Sequence, residues 1–545
     1  MIRKIVQRTI RHSPRVLINT TTGRLYNKIE QAAAFMSLPV VDELVSSMTT
    51  RIDRGRIKHE VKQFFRYVML SHKWEENEPL FQQVIHIAVY ELDQSPTHDK
   101  LQMFCRIVRD TVYHWAWSDT CCINKEDNFV LQEALVAMFK WYRGSIMTIV
   151  YLRGVHSPAT FGELVKSVWN TRAWTLQEYV AARVIHFYTE DWTPYLNLDA
   201  HNHKESPEII LEMEQATGVS AQQLTELRPG LSSIREKLRL ASMRETTMVE
   251  DAAYSLLGIF SVAGMSAIYG EGENALGRLL AHIVAGSGDA SILAWTGQSG
   301  AFNSCLPVHI TVFSRPATSH IPPPIEGAEM EKIITSLRYA KLDLDSALKL
   351  YDRLNELPAP WFAASRMKLP CIAFKLPALL PHRTSVGIVY RVETPVFGMV
   401  EIKTKQHPSR LDSLYLVHPW LDALLGREDM QSGASVEDLV AEPSTDDEDV
   451  SDEETEDDAS SFPGPEPLPR PATTGTAPVD KETRALQLVA RLRQPFGALL
   501  FTLASTRRGS VEYRRVASDS TVTVQIQKNV PLTDVLDNVS ILDVL

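Results

Sequence analysis

Val168-Trp169-Asn170-Thr171-Arg172-Ala173-Trp174-Thr175-Leu176-Gln177-Glu178-Tyr179 holds two tryptophans and an arginine within six residues, followed by the apolar-rich run Ala182–Tyr188. Thr175, with Glu178 three residues on, reads as a helix N-cap and its capping-box partner. A helix opening there sets Trp174 and Glu178 at a helix mouth, where backbone N–H groups point outward. An aromatic plate, a guanidinium and a carboxylate at one helix start fit ordinary packing and capping. They equally fit the wall of a site.

Working outward, buried strands are expected at Arg15–Asn19, Phe64–Leu70, Tyr113–Ser118, Ser145–Leu152 and Arg183–Tyr188. Helices are expected at Pro79–Leu92, Asp99–Thr111 and Phe129–Arg143. In the last, Leu131, Leu135, Met138, Phe139 and Tyr142 fall at steps of three and four. Strands alternating with helices of this length imply a parallel sheet with helices on both faces. In such sheets ligands bind beyond the carboxyl ends of the strands. Ser71–Trp74, Asp119–Lys125 and Trp169–Glu178 all follow strand ends and are expected to converge.

The expected organisation is a lead-in at 1–65, an α/β domain at 66–204 and a helical extension at 205–299. A β-rich C-terminal domain follows in two parts, 300–433 and 485–545, interrupted by an insertion at 434–484. That insertion is rich in acid, Pro, Ser and Thr, and reads as disordered because it cannot bury enough apolar surface to fold. The basic start, Met1–Arg11, reads as a solvated leader. Ala252–Gly270 carries no charge but holds three glycines and three serines, so it reads as a buried helix followed by a loop rather than a membrane span.

The net charge of −11 is mostly local: Asp446–Asp458 holds ten carboxylates in thirteen residues, and the rest of the 545 residues is near −1. No global charge for nucleic-acid binding is present. The five cysteines, Cys105, Cys121, Cys122, Cys305 and Cys371, are odd in number with one vicinal pair. That suits a reducing, cytoplasmic setting, with no stable membrane anchor expected.

Four blocks carry a resemblance. Tyr67-Val-Met-Leu-Ser-His-Lys-Trp74, Asp119-Thr-Cys-Cys-Ile-Asn-Lys125, Met138-Phe-Lys-Trp-Tyr-Arg143 and Arg172-Ala-Trp-Thr-Leu-Gln-Glu178 resemble, in order and spacing, the fungal heterokaryon-incompatibility (HET) domain. Lys73 stands where that family usually has a small residue or Cys, and Ala173 where it usually has Gly. Arg244-Glu-Thr-Thr, Glu250–Phe260 and Tyr269-Gly-Glu-Gly-Glu273 resemble the family's helical extension. HET domains are in turn similar to TIR domains, which implies a flavodoxin-like parallel sheet. The Trp174-x-x-x-Glu178 spacing resembles the element that bears the catalytic carboxylate of NAD-cleaving TIR domains.

What the resemblance implies is a part in nonself recognition and regulated cell death, with NAD as substrate and no bound cofactor. Glu178 is the catalytic candidate, and Ser71, His72, Trp74, Asp119, Arg172 and Trp174 are substrate-binding candidates. Asn124 and Lys125 belong to a protruding loop through which copies of the chain would self-associate, beside an unknown recognition partner. Without chemistry, the same surfaces would serve a signalling scaffold. Cys121 and Cys122, read as strand residues facing opposite sides, are not expected to share a metal, and no metal site is expected.

Overall fold

A six-stranded mixed sheet organises the N-terminal part of the computed structural model. It consists of β1 (Val16–Asn19), β2 (Leu25–Asn27), β3 (Tyr67–Ser71), β4 (Trp115–Trp117), β5 (Met147–Leu152) and β6 (Ile185–Thr189) in the order β2-β1-β4-β3-β5-β6. The four strands β4-β3-β5-β6 are parallel. The expected all-parallel sheet is corrected at one edge, where β1 and β2 form an antiparallel hairpin against β4. Every residue of β3 and β5 is buried, as expected for strands covered on both faces. The structure describes residues 1–46, 53–262, 264–314, 325, 327–340, 342–377, 380–384, 387–404, 413–419, 480–507 and 510–545.

Local expectations fail where tertiary packing takes over. Phe64 and Phe65 belong to the end of the helix Arg54–Phe64, not to β3; with Phe35 they form an aromatic cluster with centroids 5.0–5.6 Å apart. The helix expected at Pro79–Leu92 is one turn, Phe81–Val84, followed by the 3-10 turn Val89–Glu91. Its continuation is interrupted because the Val89 N–H is taken by the Gly23 carbonyl at 2.7 Å. The leader is no solvated tail: Ile2–Ile10 is a helix that buries Ile2, Val6 and Ile10 along one stripe.

The chain divides into two compact units. One comprises Met1–Ile283 with 300–302 and 307–316; the other comprises 284–299, 303–306 and 317–545. The expected helical extension at 205–299 is therefore shared between them. In the first unit it supplies the helices Pro207–Thr217 and Ile234–Ser242 and the first part of Asn274–Ser287. The helix expected within Ala252–Gly270 is a single turn, Asp251–Tyr254.

The second unit contains β7 (Trp361–Ala363), β8 (Arg366–Lys375), β9 (Leu380–Thr384), β10 (Gly387–Thr394), β11 (Gly398–Lys403), β12 (Leu414–Pro419), β13 (Phe496–Arg507), β14 (Ser510–Arg515), β15 (Val522–Val524) and β16 (Val539–Val544). The β9, β10 and β11 strands form a three-stranded sheet. Pairings β12–β13–β14–β16–β8 close back from β8 to β12 in a hydrogen-bonded circuit. The helices Leu344–Asn355 and Lys481–Leu492 bury apolar faces in this unit's core beside its ten described strands. Residues 481–484 open the latter helix and are not part of an insertion. The remainder of the expected acidic insertion lies outside the described residues, apart from Asp480, the helix's N-cap residue.

Gly258 shows how closely the extension packs on the sheet-covering helix Asn128–Gly144: a Cβ there would fall on the Phe139 side chain, well inside contact distance. Gly258→Ala is therefore expected to cost about 1–3 kcal/mol, read as a lowered thermal midpoint. Gly154→Ala, whose Cβ would meet open space, carries only the strain of its left-handed φ of +78°.

Candidate functional site

Among the parallel strands, β3 is followed by β4 on one side and β5 on the other. The crevice at the carboxyl end of β3 is therefore a topological switch point, where open α/β sheets take ligands. Ser71 ends β3, His72 and Trp74 follow it, and Asp119 lies just beyond β4. Glu178 reaches the same place from the helix Ala173–Ala181.

That helix overturns the capping expectation. It begins at Ala173, its N-cap position is Arg172, and no side chain caps it. Thr175 lies inside the first turn, its hydroxyl 2.7 Å from the Trp169 carbonyl and 2.9 Å from that of Arg172. Backbone from the extension replaces the cap. The Ala173 N–H donates to the Glu245 carbonyl at 3.0 Å, and the Glu245 N–H donates to the Thr171 carbonyl at 2.6 Å. Glu178, freed of capping, is 6% exposed and accepts a hydrogen bond from the Ser71 hydroxyl. Ser71 Oγ in turn accepts from Trp169 Nε1 at 2.7 Å.

Burial, and next the charge of Asp119, push the Glu178 carboxyl up to about 8, against the Ser71 hydrogen bond, the Arg172 charge and the Tyr142 hydroxyl. Tyr142 is itself fixed by donating to the Leu70 carbonyl at 2.8 Å. Asp119 is different. Burial raises its carboxyl too, but the hydrogen bond from His72, the Lys125 charge and the Trp74 N–H outweigh that and hold it below the usual range. Two carboxyls near one another thus take opposite protonation states at neutral pH.

His72 Nε2 lies 3.2 Å from Asp119 Oδ1, and Trp74 Nε1 donates to Asp119 Oδ2 at 2.7 Å. An ionised carboxylate only accepts, so Nε2 carries the His72 proton. Burial, and next the Lys100 charge, lower the His72 pKa and favour its neutral form. Its Nδ1 faces Glu78 Oε1 at 3.6 Å without a hydrogen bond. Lys100 pairs with Glu78 and, at 3.1 Å, with Glu75; Arg153, just past β5, also pairs with Glu75. Nothing in the sequence pattern singles out Lys100, Glu75, Glu78 or Arg153, and Tyr142 reads there only as a packing position of its helix. Trp169 lay within the opening stretch but was not separated there from Trp174.

The remaining candidates are placed differently from expectation. Trp174 is half-buried and lies beside Asp251 of the extension, to which the Tyr269 hydroxyl donates at 2.9 Å. Arg172 acts on Glu178 through its charge. Lys125 does not protrude: its Nζ lies over the Trp74 ring, 3.5 Å from the centroid, covering a face that could have stacked on a ligand. Asn124 Oδ1 accepts from Gln82 Nε2 at 3.2 Å, and the exposed part of the loop is Glu126 and Asp127. Cys121 and Cys122 lie in turns rather than a strand; all five thiols are buried and free. No metal-holding group occurs among the described residues.

A folded-state pKa raised above the unfolded value makes stability fall as pH rises through the interval between them. For Glu178 that interval runs from the ordinary value of 4.5 to about 8. Glu178→Gln keeps an acceptor for Ser71 and cannot titrate. The variant is expected to gain on wild type steadily across this interval, in denaturant titrations run at several pH values.

Residues 67–162 match the family described as heterokaryon incompatibility protein (HET). Over 227 residues the chain is 32% identical to vegetative incompatibility protein HET-E-1 of Podospora anserina, an alignment covering 39% of this chain and 16% of that protein. The chain thus spans only a small part of the length of that relative. No solved structure matches. No helix among the described residues is long and apolar enough to cross a membrane. The blocks that end β3, follow β4 and run along the Asn128–Gly144 helix lie inside the matched stretch, so residues 67–162 carry the likeness to the HET family.

Proposed function

We propose that the chain acts in heterokaryon incompatibility, in line with the matched family's description and with a relative named for vegetative incompatibility, and that its HET domain drives regulated cell death in the cytoplasm by cleaving NAD-type nucleotides once copies assemble. The observation that carries this is the position of Glu178: a carboxyl withdrawn from helix capping, buried against Ser71 and close to Asp119 at the switch point. The parallel order β4-β3-β5-β6 supports the TIR-like, flavodoxin-like reading of the fold.

In the proposed reaction the bond between ribose C1′ and the nicotinamide nitrogen breaks. Nicotinamide leaves as the neutral base, and water adds its hydroxyl to C1′ while its other proton is released. The ribose passes through an oxocarbenium-like state, which a nearby carboxylate stabilises, more strongly when water is excluded. A cationic nicotinamide beside Glu178 favours the ionised form that this task needs.

A non-catalytic assembly scaffold is favoured by two observations. Glu178 is enclosed, and Lys125 occupies the face of Trp74. The two readings diverge in one experiment with purified chain at high concentration and NAD. On the catalytic reading Glu178→Gln lowers NAD consumption by about 10²-fold or more without lowering the melting midpoint. A fully active Gln variant removes the carboxylate from the chemistry, and absence of turnover in every preparation favours the scaffold.

Assembly is tested at Glu126, which is exposed in the loop between β4 and the Asn128–Gly144 helix. Glu126→Lys is expected to weaken self-association in sedimentation and toxicity on expression together, with the fold intact. Toxicity that persists after association is lost would uncouple the two.

A further inference from the structure

We infer that Arg244 is a positioning residue for Glu178: its guanidinium, brought in from the extension, holds the start of the helix from which Glu178 reaches β3. This rests on the catalytic reading of Glu178 and deepens it. Arg244 is buried, 7% exposed. Its Nη1 donates to the Arg172 carbonyl and to Thr175 Oγ1, both at 2.8 Å, and its Nη2 donates to Asn170 Oδ1 at 3.2 Å. All three acceptors lie within Asn170–Thr175, immediately before Glu178. The next residue, Glu245, pairs its backbone with Thr171 and Ala173. The Glu245 carbonyl thus takes the part of the missing N-cap for the Ala173 N–H, while the planar fork fixes the acceptors around the helix start. Glu178 stands one turn beyond Thr175, so a change in the first turn is carried directly to its carboxyl.

The guanidinium is also a buried cation acting on Glu178. Burial lowers the Arg244 pKa to about 10, and the Glu178 charge opposes that shift. The other groups facing Glu178 are Ser71 on β3, Asp119 after β4, Tyr142 on the Asn128–Gly144 helix and Arg172; Tyr179 acts on Arg244. Of these, Asp119 disfavours the ionised carboxylate, whereas Arg172 and Arg244 favour it.

The test compares Arg244→Met and Arg244→Lys in the full chain, alone and combined with Glu178→Gln. NAD cleavage is followed as kcat and KM against pH. Alongside it, the stability gap between each protein and its Glu178→Gln counterpart is measured against pH. Arg244→Met is expected to lower kcat more than KM changes, and to move the acid limb of kcat upward by about one pH unit. Arg244→Lys retains the charge without the fork, so it returns the limb towards wild type but not the full kcat. A Met variant with the wild-type limb, while Glu178→Gln is inactive, overturns the inference and leaves the parent reading standing. An active Glu178→Gln overturns the parent reading; the stability gap then decides Arg244, and an unmoved pH window in Arg244→Met refutes its influence on Glu178. If the Met variant does not fold, the Lys variant decides: an unaltered kcat there refutes positioning.

Discussion

The site depends on a helix that cannot finish itself. Ala173–Ala181 has no side-chain N-cap, and its carboxyl end closes without a glycine. Orphan backbone groups at buried helix ends are costly unless partners arrive from elsewhere. Here they come from residues far along the chain. Glu245 meets the Ala173 N–H, and Arg244 meets the Arg172 carbonyl beside it. At the other end Lys204 Nζ donates to the carbonyls of Tyr179, Val180 and Ala182 at 2.8, 3.3 and 2.9 Å. The short helix is pinned at both ends, so Glu178 and Trp174 are held by a clamp outside their own segment.

The same device recurs. Lys237 donates to the Gly230 and Ser232 carbonyls, both at 2.7 Å. In the second unit Arg515 reaches the carbonyls of Leu293, Trp295 and Cys305 and stacks on Trp295, 3.8 Å from the ring centroid. Burial lowers the pKa of Lys204 and Lys237 to about 8 and of Arg515 to about 10. A buried cation is expensive unless its donors are satisfied. These side chains, like Arg244, satisfy irregular backbone, which lets loops cross the interior without regular pairing.

Around β3 the electrostatics divide. On one side Glu178 sits among Ser71, Trp169 and Tyr142, where hydrogen bonds only partly offset burial. On the other, Asp119, Glu75 and Glu78 meet His72, Trp74, Lys100, Lys125 and Arg153. The neighbouring ionised Asp119 helps hold Glu178 in its neutral form. A cation entering the crevice would act on that balance directly, since the Glu178 carboxyl is already near its midpoint at mildly alkaline pH.

The sequence by itself determined the strand-and-helix alternation, because two-sided burial requires continuous apolar strands such as Tyr67–Ser71 and Met147–Leu152. It also placed Ser71, His72, Trp74, Asp119 and Glu178 at one end of the sheet, since each follows a strand or opens the next helix. Only the tertiary structure decided what those residues do to one another. The Thr175–Glu178 spacing matches a capping box, yet a backbone bridge from Glu245 took the helix start and left Glu178 free to turn to Ser71. Lys125 reads as an exposed loop charge, yet the nearby Asp119 carboxylate and the Trp74 face draw it inward. Trp174 reads as a ligand plate, yet it stands beside Asp251 of the extension. Periodicity and capping rules act within a few residues of chain, whereas Ser71, Trp74, Glu245 and Asp251 lie far along the chain from the residues they meet, and nothing local encodes which buried donor or acceptor they will satisfy.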